Sequence, residues 1–297
     1  MRRLYRSLLA FVSVLLLWSS AATAAEPPKT SCKSIGDPGS GCLLGGITLE
    51  GSDRLQVRQH RNWGTPEMLA AIVRAVDVVH AEQPGGHTLV VGDLSRKAGG
   101  RFRPHRSHQS GRDADIGYFL KQSRCPGFMR KANRDNFDVA RTWTMLWDWL
   151  SRDEVEYVFV DWRLQKQLYI HARDVAQVAR TNLTRIFQYP KSRAKRVGII
   201  RHQRGHSDHM HARFRAPASV AVGAAYAALN PHLIKPTPIF RTIRRGDTLT
   251  RLARRHKVRI KDLRKWNKLR RRHVLRPRQK LIVGWRSPRG PTQVTAP

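Results

Sequence analysis

Cysteine, acidic side chains and long apolar runs are all scarce in this sequence, and each scarcity restricts what the chain can do. Only three of the 297 residues are cysteine, and none has the spacing of a zinc site, which excludes a metal held by thiolates. No serine or cysteine nucleophile is evident. After the N-terminus no segment is apolar enough to span a bilayer, so we expect no transmembrane segment in the mature chain.

The single long apolar run lies at the N-terminus. Arginines precede a stretch from Leu8 to Trp18, and small residues follow at Ala22 and Ala24, as a signal peptidase requires. A membrane anchor is the alternative, but the run is shorter than the roughly 20 residues that cross a bilayer. We therefore predict a signal peptide over residues 1–24 and a location in the periplasm or cell envelope.

Basic residues dominate the charge. The chain has 56 Lys and Arg against 21 Asp and Glu, a formal net charge of +35. In a cytosolic protein this balance would point to nucleic acid. Export changes the expected partner to anionic envelope polymers such as wall carboxylates and lipopolysaccharide phosphates, with no specific nucleic acid. A merely solvated basic face is the alternative.

The segment after the signal peptide is rich in Gly, Pro, Ser and Lys and has no periodicity, so an irregular arm is predicted over residues 25–59. In an oxidising compartment Cys32 and Cys42 are expected to close a short loop there, which leaves Cys125 as a free thiol or as an exchange partner.

Two stretches carry the residue types of a metal site. His209 and His211 lie in a predicted strand over residues 209–214, and since side chains alternate between faces, both point the same way. His108 and Asp115 flank a Gly-containing turn that can bring their side chains to a common point. Two histidines and a carboxylate are a ligand set typical of catalytic zinc, with water in the fourth position.

This spacing, H-x(6)-D followed far downstream by H-x-H, resembles the zinc peptidases of the lysostaphin, D-alanyl-D-alanine peptidase and hedgehog fold group. The penicillin-insensitive murein endopeptidases are the most similar. The resemblance covers most of residues 60 to 216, and its motifs are Arg61-Asn-Trp-Gly, Val91-Gly-Asp-Leu-Ser, Ser107-His-Gln-Ser-Gly and Asp208-His-Met-His-Ala-Arg-Phe.

Carried over position by position, the resemblance implies roles for five residues. His108, Asp115 and His211 become the zinc ligands, His209 the nearby catalytic imidazole and His206 a supporting group. The carboxylate and His pair that some of these enzymes offer to a second metal is not evident here, so one zinc per chain is expected. Zinc would act as a Lewis acid on the scissile carbonyl and would activate a water molecule.

Three further residues keep two interpretations each. His105 either lies at the site, where it orients a metal ligand or binds a second metal, or is merely an exposed loop residue. Asp113 has the strand parity of Asp115 and either orients a ligand histidine or is a solvated turn carboxylate. Asp208 holds the place of a general base in the carboxypeptidase branch of the fold group, but on a regular strand it points away from His209.

The predicted fold class is α+β. Thr65-Pro66 combines an N-cap with a proline at the first helical position, and a second helix is predicted over residues 136–152. Strands at residues 87–95, 157–160 and 196–201 complete an antiparallel sheet with helices on one face and the zinc cleft on the other, over a domain of residues 60–228. The apolar positions predicted to line the two helices are Leu69, Ile72, Val73, Val76, Val79, Val139, Trp143, Leu146, Trp147 and Leu150.

A composition rich in Ala and Pro predicts a linker over residues 229–238. The segment 239–285 after it resembles a LysM module, a small βααβ domain that binds the glycan of peptidoglycan. Asp247 is expected to cap its first helix, and Arg278 stands where the family usually has glycine. Over 239–285 we count 18 Lys and Arg against two Asp. The tail 286–297 is expected to be disordered.

The sequence therefore predicts an exported zinc metallopeptidase that cuts the peptide cross-links of peptidoglycan and is retained at the wall by its LysM module. One rival is a D,D- or L,D-carboxypeptidase that trims stem peptides. The other is a non-catalytic, basic cell-wall adhesion protein.

Overall fold

The structure, a computed structural model, describes residues 31–121, 127–233, 236–270 and 273–286. The predicted signal peptide, the tail after residue 286 and Cys125 lie outside these ranges. The described part forms two hydrophobic cores, a large one built from residues 49–214 and a small one built from residues 243–283. The prediction of an α+β chain with a small C-terminal βααβ unit is confirmed.

The elements follow one another in this order: β1 (Lys33–Ile35), β2 (Cys42–Leu44), β3 (Ile47–Thr48), β4 (Leu55–Val57), β5 (Trp63–Gly64), α1 (Pro66–Glu82), β6 (Leu89–Val91), β7 (Asp113–Gly117), α2 (Val139–Ser151), β8 (Val155–Val160), α3 (Trp162–Asp174), α4 (Arg180–Ile186), β9 (Ile200–His202), β10 (His209–Phe214), α5 (Pro217–Leu229), a 3-10 turn (Pro231–Leu233), β11 (Thr237–Thr242), α6 (Leu249–His256), α7 (Ile260–Asn267) and β12 (Lys280–Arg286).

A six-stranded sheet in the order β4-β6-β7-β10-β8-β9 forms the centre of the large unit. Its three inner pairs, β6 with β7, β7 with β10 and β10 with β8, are antiparallel as expected. The outer pairs, β4 with β6 and β8 with β9, are parallel. Local sequence patterns do not reveal strand direction at the edges, because that direction depends on long connections through α1, α3 and α4.

The two faces of this sheet have opposite chemistry. Met210, Ala212 and Phe214 of β10 are buried in the large core, where Trp149 of α2 meets Phe214 edge to face with ring centroids 5.2 Å apart. Because strand side chains alternate, the odd-numbered residues of β10 face the other side, together with their cross-strand partners on β7. That second face holds the predicted metal ligands.

The helices cover the apolar face. Helix α1 begins as predicted, with the Thr65 hydroxyl accepting a hydrogen bond from the Met68 amide and Pro66 in the first turn. Most of the predicted core positions of α1 and α2 are buried, but Val73 and Trp147 are 39% and 38% exposed. Trp149 is fully buried instead, because its indole N–H donates to the Ala71 carbonyl of α1 and turns that face of α2 inward.

The expected irregular arm at residues 25–59 is wrong for the part that the structure describes. Strands β1 and β2 form a hairpin, and β4 pairs with β6 at one edge of the central sheet. The expected Cys32–Cys42 bridge is also absent from these described residues. The hairpin register opposes Lys33 to Leu44 and Ile35 to Cys42, so the two cysteines lie at different points along it, and burial raises the pKa of both thiols.

In the small unit, β11 and β12 pair antiparallel around α6 and α7, and β11 begins inside the predicted linker. The predicted cap is wrong: Thr248 caps α6 by accepting from the Arg251 amide, and Asp247 accepts from the Arg244 amide to close the preceding turn. Arg278 has φ of +70°, a conformation that favours glycine, as the departure from the family pattern indicated. No helix within the described ranges is both long and apolar enough to cross a membrane.

Candidate metal centre

The register between β7 and β10 joins the two halves of the candidate site. These strands place His211 directly opposite Asp115 and Arg213 opposite Asp113. Directly opposed residues of an antiparallel pair point to the same face. The Nδ1 atom of His211 consequently lies 2.9 Å from Oδ1 of Asp115, although 96 residues separate them in the chain.

His108 reaches the same point from the loop before β7. Its φ of +63° is a left-handed conformation that non-glycine residues rarely adopt, and Gly111, with φ of +73°, completes the turn. Three hydrogen bonds hold the strained residue: its amide donates to Asp113, its carbonyl accepts from the Ser95 hydroxyl and its Nδ1 lies 2.6 Å from the Leu94 carbonyl. Such strain persists only where the surroundings enforce it, as here.

Asp115 is the centre of the cluster. Its carboxylate oxygens lie within 4.0 Å of a ring nitrogen of each of four histidines: 2.9 Å for His211, 3.3 Å for His108, 3.6 Å for His105 and 4.0 Å for His209. Asp115 is only 5% exposed. An arrangement of this kind, one buried carboxylate among several imidazoles, is a donor set that suits a divalent transition metal.

The hydrogen bonding of His108 tests whether the residues fit a metal. The Leu94 carbonyl can only accept, so Nδ1 of His108 carries the proton and Nε2 presents a lone pair. That Nε2 is buried and has no hydrogen-bond partner among the described residues. An orphaned buried lone pair costs free energy unless something binds it. One ligand atom from each of His105, His108 and Asp115 lies within 4.8 Å of the others, so these three residues could hold a metal ion.

His105 is therefore part of the cluster rather than an exposed loop residue. Its Nε2 lies 2.7 Å from a carboxylate oxygen of Asp93, to which it donates, and its Nδ1 faces Asp115. Arg58 and Arg61 complete the neutralisation of Asp93 at 3.2 Å and 2.7 Å. The interactions with His105 and the arginines outweigh burial and lower the pKa of Asp93. Asp93 was not singled out in the sequence, although it ends a buried strand within one of the shared motifs.

His209 is oriented by the residue before it. Its Nδ1 lies 2.7 Å from Oδ1 of Asp208, so the carboxylate accepts the Nδ1 proton and Nε2 is left pointing towards Asp115. Asp208 thus contacts the imidazole of its neighbour. Within the described part of the chain its carboxylate forms an ion pair with His209 and none with His211.

His206 lies beside His209 at a ring-centroid distance of 4.8 Å. Burial, together with electrostatic repulsion by the neighbouring rings of His209 and His211, lowers the pKa of His206 to about 4. The ring is consequently neutral at pH 7. Its backbone carbonyl accepts from the Tyr118 hydroxyl at 3.0 Å and from the Asp161 amide at 3.2 Å, which anchors the turn that leads into β10.

Asp113 is fully buried beside the cluster. It accepts from Arg213 at 2.7 Å and 3.1 Å and from the His108 amide at 2.9 Å, and it lies 3.6 Å from Nε2 of His211. Of its two interpretations, the solvated carboxylate is wrong. Asp113 links the His108 loop to β10.

The charges of the cluster depend on one another. Burial acts against ionisation of Asp115, but its close contacts with the rings of His108 and His211 hold its pKa below the usual range. Burial likewise acts against protonation of His211, but hydrogen bonds to Asp113 and Asp115 raise its pKa to about 9. A metal ion placed here would take over the positive charge that His211 carries in its absence.

An aromatic wall borders the cluster, and the sequence did not point to it. Phe159 of β8 lies opposite His211, with ring centroids 5.6 Å apart and planes 26° from parallel, and it meets His206 edge to face at 5.7 Å. The only available signal was parity, because Phe159 alternates with the core residues Val158 and Val160.

Comparison with known proteins agrees with this geometry. Residues 34–225 match the family described as penicillin-insensitive murein endopeptidase, and residues 242–284 match the LysM domain. A penicillin-insensitive murein endopeptidase of Salmonella heidelberg is 32% identical over 230 residues, covering 69% of this chain and 77% of the relative. Proteins of that name from Salmonella paratyphi B and Salmonella newport are 31% identical over the same shares.

The family match includes every residue of the cluster around Asp115, and it covers more than half of the chain. The relatives extend the similarity over most of their own length. This chain therefore belongs to the penicillin-insensitive murein endopeptidase family and carries a C-terminal LysM domain.

Proposed function

We propose that the protein is an exported zinc metalloendopeptidase that hydrolyses the peptide cross-links of peptidoglycan. The observation that carries the proposal is the buried Asp115 carboxylate with four histidines around it, one of which, His108, presents an unpartnered Nε2. Family membership supplies the substrate class, and the LysM domain is in keeping with the same polymer.

We propose one zinc ion per chain, held by His108, Asp115 and His211. When bound, zinc supplies Lewis acidity towards the scissile carbonyl, which favours attack by water. Support for His108 and Asp115 comes from their convergent donor atoms. His211 competes with His105 for the third position, because each directs a ring nitrogen at Asp115, at 2.9 Å and 3.6 Å.

His209 is the proposed catalytic imidazole. With its Nδ1 proton donated to Asp208, its Nε2 is free to accept or return a proton at the reacting bond. The partnership with Asp208 also stabilises the charged form of the ring once it has taken that proton. His206, kept neutral by burial, is a supporting group that excludes water from one side of His209.

The C-terminal LysM domain is proposed to bind the glycan strands and to hold the peptidase at the wall. Its excess of cations supports additional adhesion to anionic envelope polymers. The proposed division is a signal peptide over 1–24, a peptidase domain over 60–228 together with the strands that precede it, a linker over 229–238 and the LysM domain over 239–285. The proposed location is the periplasm or cell envelope.

Digestion of purified muropeptides tests the activity. The zinc-loaded protein should convert cross-linked dimers into monomers, identified by mass, and should leave uncross-linked stem peptides intact. Loss of a terminal D-alanine without loss of cross-links would indicate a carboxypeptidase instead. Binding to sacculi with no cleavage of either substrate would indicate an adhesion protein.

Elemental analysis tests the ligand set. His108→Ala and His211→Ala should each lose zinc, whereas His105→Ala should retain about one zinc per chain because three ligands remain. His171→Ala, a change in α3 away from the cluster, is the matched control. Full zinc in His211→Ala and none in His105→Ala would assign the third position to His105.

A further inference from the structure

We infer that Arg201 is a specificity-determining residue that binds a free carboxylate of the stem peptide a few residues from the scissile bond. The inference rests on the proposed function and adds a contact to the substrate that the metal cluster does not make. It follows from a row of side chains that crosses the sheet.

Strand register defines the row. Asp115 of β7 opposes His211 of β10, His211 opposes Phe159 of β8, and Phe159 aligns with Arg201 of β9. Aligned residues on neighbouring strands point to one face, and Ile200, the neighbour of Arg201, is fully buried in the core on the opposite face. Carboxylate, imidazole, aromatic ring and guanidinium therefore lie side by side on the face that carries the site.

The guanidinium is held in place but has ligand capacity to spare. Its Nε donates to the Gly198 carbonyl at 2.7 Å, and its central carbon lies 5.1 Å from the centroid of the Tyr157 ring. Neither terminal amino group has an acceptor within the described ranges, and no carboxylate there lies within ion-pair distance. A fixed guanidinium with two free N–H₂ groups is suited to bidentate binding of a carboxylate.

Arg213 shows what a structural arginine looks like at the same place. Its central guanidinium carbon lies 4.8 Å from the centroid of the same Tyr157 ring, but its Nε and one terminal group donate to the buried Asp113. Arg213 is neutralised by the protein, whereas Arg201 is left for a ligand. The Tyr157 ring thus contacts both cations, Arg201 at 5.1 Å and Arg213 at 4.8 Å from its centroid.

The distance fits a peptide substrate. Neighbouring strands are about 4.8 Å apart, so two spacings place the backbone of Arg201 roughly 10 Å from that of His211. An extended peptide advances about 3.3 Å per residue, so this separation corresponds to roughly three residues from the reacting bond. Stem peptides carry free carboxylates within that reach on both the donor and the acceptor strand of a cross-link.

The test combines Arg201 variants with amidated substrates. Three synthetic cross-linked peptide dimers are compared: one with all carboxylates free, one amidated a few residues from the bond on the donor strand and one amidated a few residues from the bond on the acceptor strand. For the free dimer, Arg201→Gln should lower kcat/KM about 10- to 100-fold, chiefly through KM, since a hydrogen-bonded charge pair contributes on this scale. The kcat/KM of Arg201→Lys should fall between the values of the wild type and Arg201→Gln. Arg180→Gln on α4 is the control, and its kcat/KM should match that of the wild type.

One of the two amidations should lower the kcat/KM of the wild type by the same factor and leave the kcat/KM of Arg201→Gln unchanged. The strand on which that amidation lies is the one that supplies the carboxylate. An Arg201→Gln loss of equal size on all three dimers, or no loss on any, would overturn the inference. Zinc content and melting temperature are measured for each variant to detect a merely structural effect.

Binding keeps the inference separate from the proposed activity. Equilibrium affinities of the same dimers for zinc-loaded protein are measured in a His209→Ala background, where turnover is suppressed. If the wild type cleaved none of the dimers, the proposed function would fail, but the affinity loss caused by Arg201→Gln and its disappearance on amidation would still decide the role of Arg201.

Discussion

Charge is handled in opposite ways by the two units of this protein. On the site face of the peptidase domain the carboxylates are buried and paired: Asp113 with Arg213, Asp93 with Arg61 and His105, and Asp115 with its histidines. In the described part of the LysM domain most cations are exposed, and Arg259, itself 70% exposed, pairs with Asp262 at the surface. Its core contains only six buried apolar residues.

The contrast shows two uses of the same residue types. Buried pairs are strongly coupled because little water screens them, so they can orient ring nitrogens and hold a strained loop. Exposed cations couple weakly to any one partner and act together over about a Debye length on a polyanion. Breaking one pair should therefore be severe in the first unit and mild in the second.

The largest effect is expected from Asp113→Ala. This change leaves the buried Arg213 without its partner and removes the acceptor for the His108 amide. Loss of one member of a buried pair costs about 3–5 kcal/mol of unfolding free energy. Thermal and denaturant unfolding of the zinc-free protein should show this loss, and zinc binding should weaken as the His108 loop relaxes.

The matched control is Asp262→Ala in the LysM domain. Its partner Arg259 is 70% exposed, so water replaces the lost carboxylate and the unfolding transition should not move. Comparable destabilisation by the two changes would contradict the distinction between paired buried charge and solvated charge.

Next in size is the separation of metal binding from turnover within the peptidase domain. His209→Ala should keep the zinc and lower kcat about 100- to 10,000-fold, because the proposed role of this residue is to handle a proton and not to bind the metal. His211→Ala should lose zinc and activity together. Zinc content and turnover on muropeptide dimers are measured for both variants, and equal zinc loss would make His209 a ligand.

Removal of the LysM domain should change where the enzyme acts and leave its chemistry intact. A shortened chain ending at Leu233, after the 3-10 turn that follows α5, should cleave soluble muropeptides at the full-length rate. It should digest intact sacculi poorly, because tethering raises the local substrate concentration only.

A salt series separates glycan binding from electrostatic adhesion, the two proposed contributions to retention at the wall. Sacculus binding of the full-length protein should weaken with added NaCl, since exposed charges are screened within about 8 Å at physiological ionic strength. Sedimentation with sacculi is compared for both chains across a salt series. Equal sedimentation of the shortened chain would contradict the assignment of retention to the LysM domain.

The smallest effect is expected from Arg278→Gly. Arg278 has φ of +70° in the turn before β12, where a side chain is disfavoured. Glycine should stabilise the LysM domain by about 1 kcal/mol, the relief of strain exceeding the added backbone entropy of the unfolded chain. The melting temperature of the unfolding transition of the LysM domain reports the change. Lys261→Gly, inside α7, is the control and should destabilise this domain.

Much of the local structure was predictable from short-range patterns. The strand His209–Phe214, the Thr65 cap of α1 and the βααβ order of the C-terminal unit agree with the sequence prediction. Errors arose where a pattern was weak or a partner distant. The two- and three-residue strands before α1 are too short to show periodicity, and Trp149 was missed because its inward position depends on a carbonyl of α1.

The sequence by itself determined the donors of the site, since alternation along one strand is a local property that directs His209 and His211 to one face. Only the tertiary structure decided which atoms meet. The register that sets Asp115 against His211 and aligns Arg201 with Phe159 arises from hydrogen bonds between segments far apart in the chain. The pairing of His105 with Asp93 and of His209 with Asp208 then selects the ring nitrogens that face the centre, because a carboxylate accepts one proton and leaves the other nitrogen free.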